Sequence, residues 1–503
     1  MSLPGLPTFA DDQILTAAQL NSAMSTISSK FGAITGADIQ WPATAGGDLD
    51  MAYKDITRLS RFWKVRNIAE WTGTLQDFFN QFDSSGGAAF IPPNTTIILG
   101  TTTLEIPANI FIFGAGDTSV LAAANTANAM ITNKTANTSN YQFFNIKFDG
   151  LTNSNSAQTF FNFRQAHNVS FINCTFDGIT GTAITITTPG AVGSYSSNFL
   201  INNCIFNNSN ATSAGVEHIR VITAKNILFS NNRFNSVKSS GAINILPTAT
   251  AHICQNIQIS KNIFLQSSTD SPDYSIKVGY SATTINHSGL QILDNILEGS
   301  GDSKNLIIVD RWEDFEIRGN KFRTCTSTDP SIQITNSTTF KIDNNTIQSC
   351  FGPGIVIGTD MSVAGTCSRF SLNNNVVYNP LSDKQCYILC APARFTMIGN
   401  IGFNDVIGSK YALEIWNTNN SYNFLGGTIT GNSFNMDAPG KGCATFSNLG
   451  VTVHAACGDA ANANLIFTGN YTPDTVISVG GVGVADFDTS VAGLKIYSDG
   501  NVT

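Results

Sequence analysis

Charge is scarce in this sequence: only 12% of the 503 residues are Asp, Glu, Lys or Arg, and the net charge is −8. There is no Lys/Arg cluster, which excludes a nucleic-acid partner, because phosphate binding needs a basic stripe that releases counterions. Uninterrupted apolar windows of about 18 residues are also missing, so membrane insertion is not expected. The opening MSLPGLPTFADD has no basic region followed by an apolar run, and synthesis without a signal peptide is expected. The ten cysteines include no CxxC pair and have no His at ligand spacing. Buried free thiols are therefore expected, with no metal site and no cofactor. The shortage of Lys and Glu also argues against long exposed helices. Uncharged polar residues, 43 Gly and 34 Phe fill the space instead, a composition that suits short stacked strands joined by tight turns.

Residues 1–65 differ from the rest. TAAQLNSAMSTISSKF, from Thr16, reads as a helix, with Thr16 and Gln19 spaced for a capping box and Leu20, Met24, Ile27 and Phe31 on one stripe. A single helix of this length is marginal in water, so the stripe points to packing against symmetry mates or a larger assembly. A second amphipathic stretch covers 49–62, with Tyr53, Ile56 and Leu59 on one face. Residues 66–135 hold a short Phe-rich helix at 75–82, expected to close the open end of a solenoid. After it come the Gly86-Gly87 turn, Pro92-Pro93, and strands leading to a tight turn at Gly114-Ala-Gly116.

From 136 to 470 the sequence repeats the unit apolar-x-apolar-x-x-Asn-x-apolar, as in IQISKNIF from Ile257, FEIRGNKF from Phe315, FKIDNNTI from Phe340 and FSLNNNVV from Phe370. The shared slot holds Cys174, Cys204, Asn232, Asn262, Asn295, Asn320, Asn345, Asn375, Asn400, Asn432 and Asn470. The spacing between slots varies from 25 to 38 residues, as expected of constant strands with loops of changing length. Asn suits a sharp left-handed corner, and stacked coils would join its amides into a ladder. A second strand column follows each slot. Its inward residues include Ile184, Ile219, Ile243, Ile276, Ile307, Ile332 and Ile355, and its outward residues include Thr185, Arg220, Asn244, Lys277, Ile308, Gln333, Val356, Leu389 and Glu414. The fold class is therefore all-β, a right-handed parallel β-helix with a short helical N-terminal segment. Residues 471–503 form a C-terminal cap.

The short helix, GGAAFIPPN, FIFGAG and the Asn-x-Phe coils together resemble the pectate-lyase-like β-helix fold, and within it bacteriophage tailspikes and tail fibres. FADDQILTAAQLNSAMSTISSKFG resembles short virion-attachment segments of phage tail proteins. The resemblance implies a homotrimeric virion appendage that docks on a tail or baseplate protein through its N-terminus. It further implies that the protein binds host surface polysaccharide and can depolymerise it. The alternative is a non-catalytic structural or adhesive virion fibre.

Hydrolysis of a glycan needs two carboxylates about 5 to 9.5 Å apart, and β-elimination needs a base with a neutralising cation. The densest charged and aromatic patch is VDRWEDFEIR. There Asp310 and Glu313 are the candidate catalytic pair, Trp312 a sugar-stacking platform and Arg311 a clamp for an acidic sugar. Asp314 belongs to the same acidic patch. Set against this reading is a solvated turn whose charges pair at little net energy. Glu217 and Arg220 form a second candidate contact, three coils or on the order of 14 Å from Asp310. Glu414 and Trp416 form a third.

Overall fold

The computed structural model describes residues 65–436, apart from short segments between strands, together with residue 470 and strands at 444–447, 464–468, 477–479, 482–484 and 495–497. Both N-terminal amphipathic stretches, 16–31 and 49–62, lie outside the described residues.

Alternating sequence folds as alternating strand. Each coil lays down three strands, such as Ala224–Ser230, Arg233–Asn235 and Gly241–Ile245. Each strand pairs in parallel with its equivalent one coil later, with Ile227 opposite Ile257, Phe234 opposite Phe264 and Ile243 opposite Ile276. The first two columns share one sheet and the third column forms a fifteen-stranded second sheet. The chain is thus a right-handed parallel β-helix, the handedness that twisted strands impose on parallel crossovers.

The bore is apolar and continuous. Ile184, Ile219, Ile243, Ile276, Ile307, Ile332 and Ile355 are all fully buried. Phe206, Phe234 and Phe264 stack at 4.7 and 4.8 Å between ring centroids, and Phe315, Phe340 and Phe370 stack at 4.7 and 4.9 Å. Each such side chain contributes about 1.5–3 kcal/mol on burial. The outward column departs from expectation at one coil, where Ile388 pairs with Val356 and Glu414 while Leu389 is fully buried. QCYILC is all apolar or weakly polar around that point, so its alternation does not mark the face, and a slip of one residue exchanges inside for outside.

The slot residues do form a ladder. Asn232, Asn262, Asn295, Asn320, Asn345, Asn375, Asn400 and Asn432 each donate from Nδ2 to the Oδ1 of the next slot at 2.9–3.0 Å, ending on Asn470. The physical reason differs from the expected one. The left-handed corner falls one residue earlier, at Asn231, Lys261, Asp294, Gly319, Asn344, Asn374, Gly399 and Gly431. The slot Asn turns inward and satisfies main-chain groups, as when Asn320 Nδ2 donates to the Ile292 carbonyl and its Oδ1 accepts from the Asn295 amide. Cys174 and Cys204 occupy the slot as buried free thiols.

The closing helix is present as Leu75–Asn80, with Thr74 Oγ1 accepting from the Asp77 amide at 3.1 Å. Phe78, Phe79 and Phe82 are buried. Gln76 exchanges two hydrogen bonds of 2.9 Å with the Glu105 main chain, so a side-chain amide covers the free edge of the strand Leu104–Ile106. Gly114-Ala-Gly116 is not a turn between strands. It lies within the long strand Ile110–Ala122, where the register shifts, and Gly116 has a φ of +100°. Past residue 470 the pairing continues, with Leu465 opposite Ile496.

Candidate functional site

The first strand of each coil bends at a residue with positive φ, and register stacks these bends into an outward column. Its early members are all Asn: Asn109, Asn140, Asn168, Asn198, Asn226 and Asn256, with φ between 53° and 69°. Asn tolerates this conformation better than other side chains. From Asn140 on, each Nδ2 donates to the Oδ1 one coil back, at 2.6–3.1 Å, making a second and solvent-exposed ladder.

The column then changes character. Register carries Asn256 on to Gly289, Asp314, Thr339, Arg369 and Arg394. All keep a positive φ, between 53° and 70°. A β-branched or long side chain there costs on the order of 1–2 kcal/mol, and strain of this kind collects at functional sites. This stretch of the column borders a groove of about 520 Å³. The outward row Gln258, Gln291, Glu316, Lys341 and Ser371 lines the groove beside the column. From Asn256 to Arg369 the groove crosses four coil spacings, about 19 Å. Its floor is main chain backed by the stacked rings of Phe315, Phe340 and Phe370.

Charge is graded along the groove. Amides lie at the Asn256 end, carboxylates of Asp314 and Glu316 in the middle, and Lys341 and Arg369 at the other end. Glu316 pairs with Arg318 at 3.1 Å. Asp314, Lys341 and Arg369 have no ion pair among the described residues. One outward position past Lys341 lies Asp343. Burial raises its carboxyl above the usual range, the Asn373 amide at 3.1 Å opposes this, and the charge of Glu316 adds to it. A raised carboxyl near a second carboxylate is the kind of pair that general acid catalysis uses.

The candidates drawn from the sequence fall differently. Trp312 is fully buried, its ring 5.1 Å from that of His287, so it is not a sugar-stacking platform. The turn before Glu313 points it into the bore rather than outward. Asp310 is 8% exposed and accepts from Thr335 Oγ1 at 2.6 Å and Asn336 Nδ2 at 2.7 Å. Arg311 Nε lies 3.8 Å from its other oxygen. Glu313 is exposed, and neither Asp310 nor Glu313 lines the groove. Glu217 is 3% exposed and closes a network with Arg220 at 2.6 Å, Asn244 at 2.6 Å and Tyr274 at 3.1 Å. This network ties three coils together and leaves Glu217 little surface for a ligand. Glu414 is half-buried and takes a hydrogen bond from Gln385. The Trp416 side chain lies outside the described residues. Among the described residues no three His, Cys, Asp or Glu side chains converge as a metal site, and no helix is long and apolar enough to cross a membrane.

No protein-family model matches the chain, and no curated protein matches it in sequence. Solved structures do match its course. The surface adhesin PfbA of Streptococcus pneumoniae is 17% identical with a TM-score of 0.47, over 74% of this chain and 88% of that one. A tailspike protein of E. coli bacteriophage HK620 is 13% identical with a TM-score of 0.46, over 84% and 76%. The A-module of the Azotobacter vinelandii mannuronan C-5 epimerase AlgE4 is 10% identical with a TM-score of 0.44, over 75% and 92%. The likeness lies in the coil. At these identities it assigns neither ligand nor activity, and the groove stands on its own residues.

Proposed function

We propose that this chain is a virion appendage, a tailspike or tail fibre, whose outward groove binds host surface polysaccharide. In this reading it is a homotrimer, and residues 1–65 dock it on a tail or baseplate protein. One observation carries the binding reading. Along a column that is Asn at its six earlier positions, the coils bordering the groove place Thr339 and Arg369 in a conformation that costs energy, beside Asp314, all three facing solvent. Scaffold requirements alone favour Asn or Gly at those corners. A long, shallow, polar groove with both signs of charge suits an extended oligosaccharide bearing an acidic sugar at the Lys341 and Arg369 end. Retention on immobilised bacterial surface polysaccharides tests this. The Lys341→Ala/Arg369→Ala variant should lose at least about tenfold in affinity, roughly 1.4 kcal/mol. Retention equal to wild type removes the groove from the reading. Light scattering of the full chain tests the trimer.

A second reading, depolymerisation, is favoured by Asp343, whose carboxyl burial raises, on the strand that pairs with that of Glu316. Asp343 would give its proton to the leaving glycosidic oxygen while Glu316 takes one from the attacking water. Release of reducing sugar ends should stop in Glu316→Gln and Asp343→Asn. Loss in Asp310→Ala/Glu313→Ala instead would return the chemistry to the pair drawn from the sequence.

A further inference from the structure

The exposed Asn ladder ends in the groove, and its last acceptor is open to solvent. In every earlier rung Oδ1 accepts from the Asn of the next coil. Asn256 donates to Asn226 at 3.1 Å, but the next coil offers Gly289, which has no side chain to donate back. Among the described residues, Asn256 Oδ1 has no hydrogen-bond partner. It leans over Gly289, only 2.7 Å from where a Cβ would sit, and both residues line the groove. Gly289 keeps the backbone of a rung, φ +70°, without the amide that belongs to it. The next residue in the column, Asp314, supplies carboxylate oxygens and no ion pair.

We infer that the groove recognises an N-acetylated amino sugar, whose acetamido group takes the ladder rung vacated at Gly289. The inference rests on the glycan-binding reading and names the sugar class for this end of the groove. A missing amide rung is best filled by an amide. The acetamido N–H donates to Asn256 Oδ1, replacing the bond that each earlier rung receives, and its carbonyl turns away from Asp314 toward solvent. A sugar hydroxyl also donates, but it lacks the planar shape that the stacked amides share. The remainder of the chain of sugars then runs toward Lys341 and Arg369.

The column itself supplies the test. Gly289→Asn restores the rung with a residue that six earlier positions hold at nearly the same φ; the Asn256 amide must swing aside and its main-chain N, 3.2 Å from the new Cβ, must give by a few tenths of an ångström. Calorimetric titration with a chito-oligosaccharide and with the cello-oligosaccharide of equal length measures the acetamido preference. The wild type should bind the chito-oligosaccharide at least about tenfold more tightly. Gly289→Asn should abolish that preference and leave the melting temperature nearly unchanged, because water already serves the exposed amides of this ladder. Asn256→Ala, which removes the acceptor together with the bond to Asn226 Oδ1, should also abolish the preference and should lower the melting temperature, because Ala then takes a left-handed backbone. Equal wild-type affinity for the two sugars, or a preference that survives both substitutions, overturns the inference. Failure of the groove reading looks different: the Lys341→Ala/Arg369→Ala variant would then retain surface polysaccharide as the wild type does.

Discussion

Replacing Asn320 by Ala separates the buried ladder from the exposed one. Asn320 has no exposed surface. Its Oδ1 accepts from the Asn295 main-chain amide at 3.0 Å and from Asn295 Nδ2 at 2.9 Å, and its Nδ2 donates to the Ile292 carbonyl at 2.9 Å and Asn345 Oδ1 at 3.0 Å. Truncation leaves the Asn295 N–H stranded. Asn295 Nδ2 keeps the Ile259 carbonyl, and Asn345 Oδ1 keeps the main-chain amide of residue 320. One stranded buried N–H at about 1–3 kcal/mol and three lost bonds near 1 kcal/mol each make the expected loss roughly 4–6 kcal/mol. Asn198→Ala in the exposed ladder should cost only about 1–2 kcal/mol, mostly from Ala in a left-handed backbone, because water replaces its amide partners. Coils of a solenoid open locally, so hydrogen exchange is the sharper assay. The Asn295 amide should lose protection in Asn320→Ala, while Asn198→Ala leaves it unchanged. Equal urea midpoints for the two variants, with protection kept at Asn295, would refute the assignment of stability to the inner ladder.

Three further outcomes are expected. Thr74→Ala removes the cap of the closing helix at a cost of about 1 kcal/mol, and a hydrophobic dye should report the uncovered Phe78, Phe79 and Phe82. Burial lowers the imidazoles of His218 and His287 from 6.5 to about 4. The unfolded chain therefore binds more protons between those values, and stability should fall as pH drops through that window, by up to about 1.4 kcal/mol per unit for each histidine. Asp343, whose carboxyl is raised, acts in the opposite sense, so its Asn variant should steepen the acid loss seen in urea midpoints. Burial also pushes the thiols of Cys254, Cys367 and Cys386 up to about 12. Mass spectrometry after iodoacetamide treatment should find them unmodified until the chain is unfolded.

Period-two alternation and the recurring Asn identify the strands, the apolar bore and the inner ladder, because those depend on residues a few positions apart. The same local pattern shows the closing helix, since Leu75, Phe78, Phe79 and Phe82 share one face over two turns. The groove is not legible in this way. Asn256, Gly289, Asp314, Thr339 and Arg369 are separated by 25 to 33 residues, and loops of unequal length hide their common register. Only coil-to-coil pairing makes them neighbours. Asp314 was visible as part of an acidic patch, while Glu316, Lys341 and Arg369 look like ordinary polar faces of their strands. The shift from Asn to Asp, Thr and Arg one position before the inward Phe was available as a signal once the coils were aligned.

The charged patch around Trp312 shows the opposite case. A dense local cluster invites a functional reading, but the turn that joins the two sheets sends Trp312 inward and commits Asp310 to Thr335 and Asn336. The direction of a side chain at a sheet junction depends on the bend of the main chain, which no alternation specifies. The sequence by itself determined that this chain winds into stacked coils and which residues fill them, because burial of alternating side chains is a local rule. The tertiary structure alone decided which outward residues share a surface, because stacking register places side by side groups that the chain holds a full coil apart.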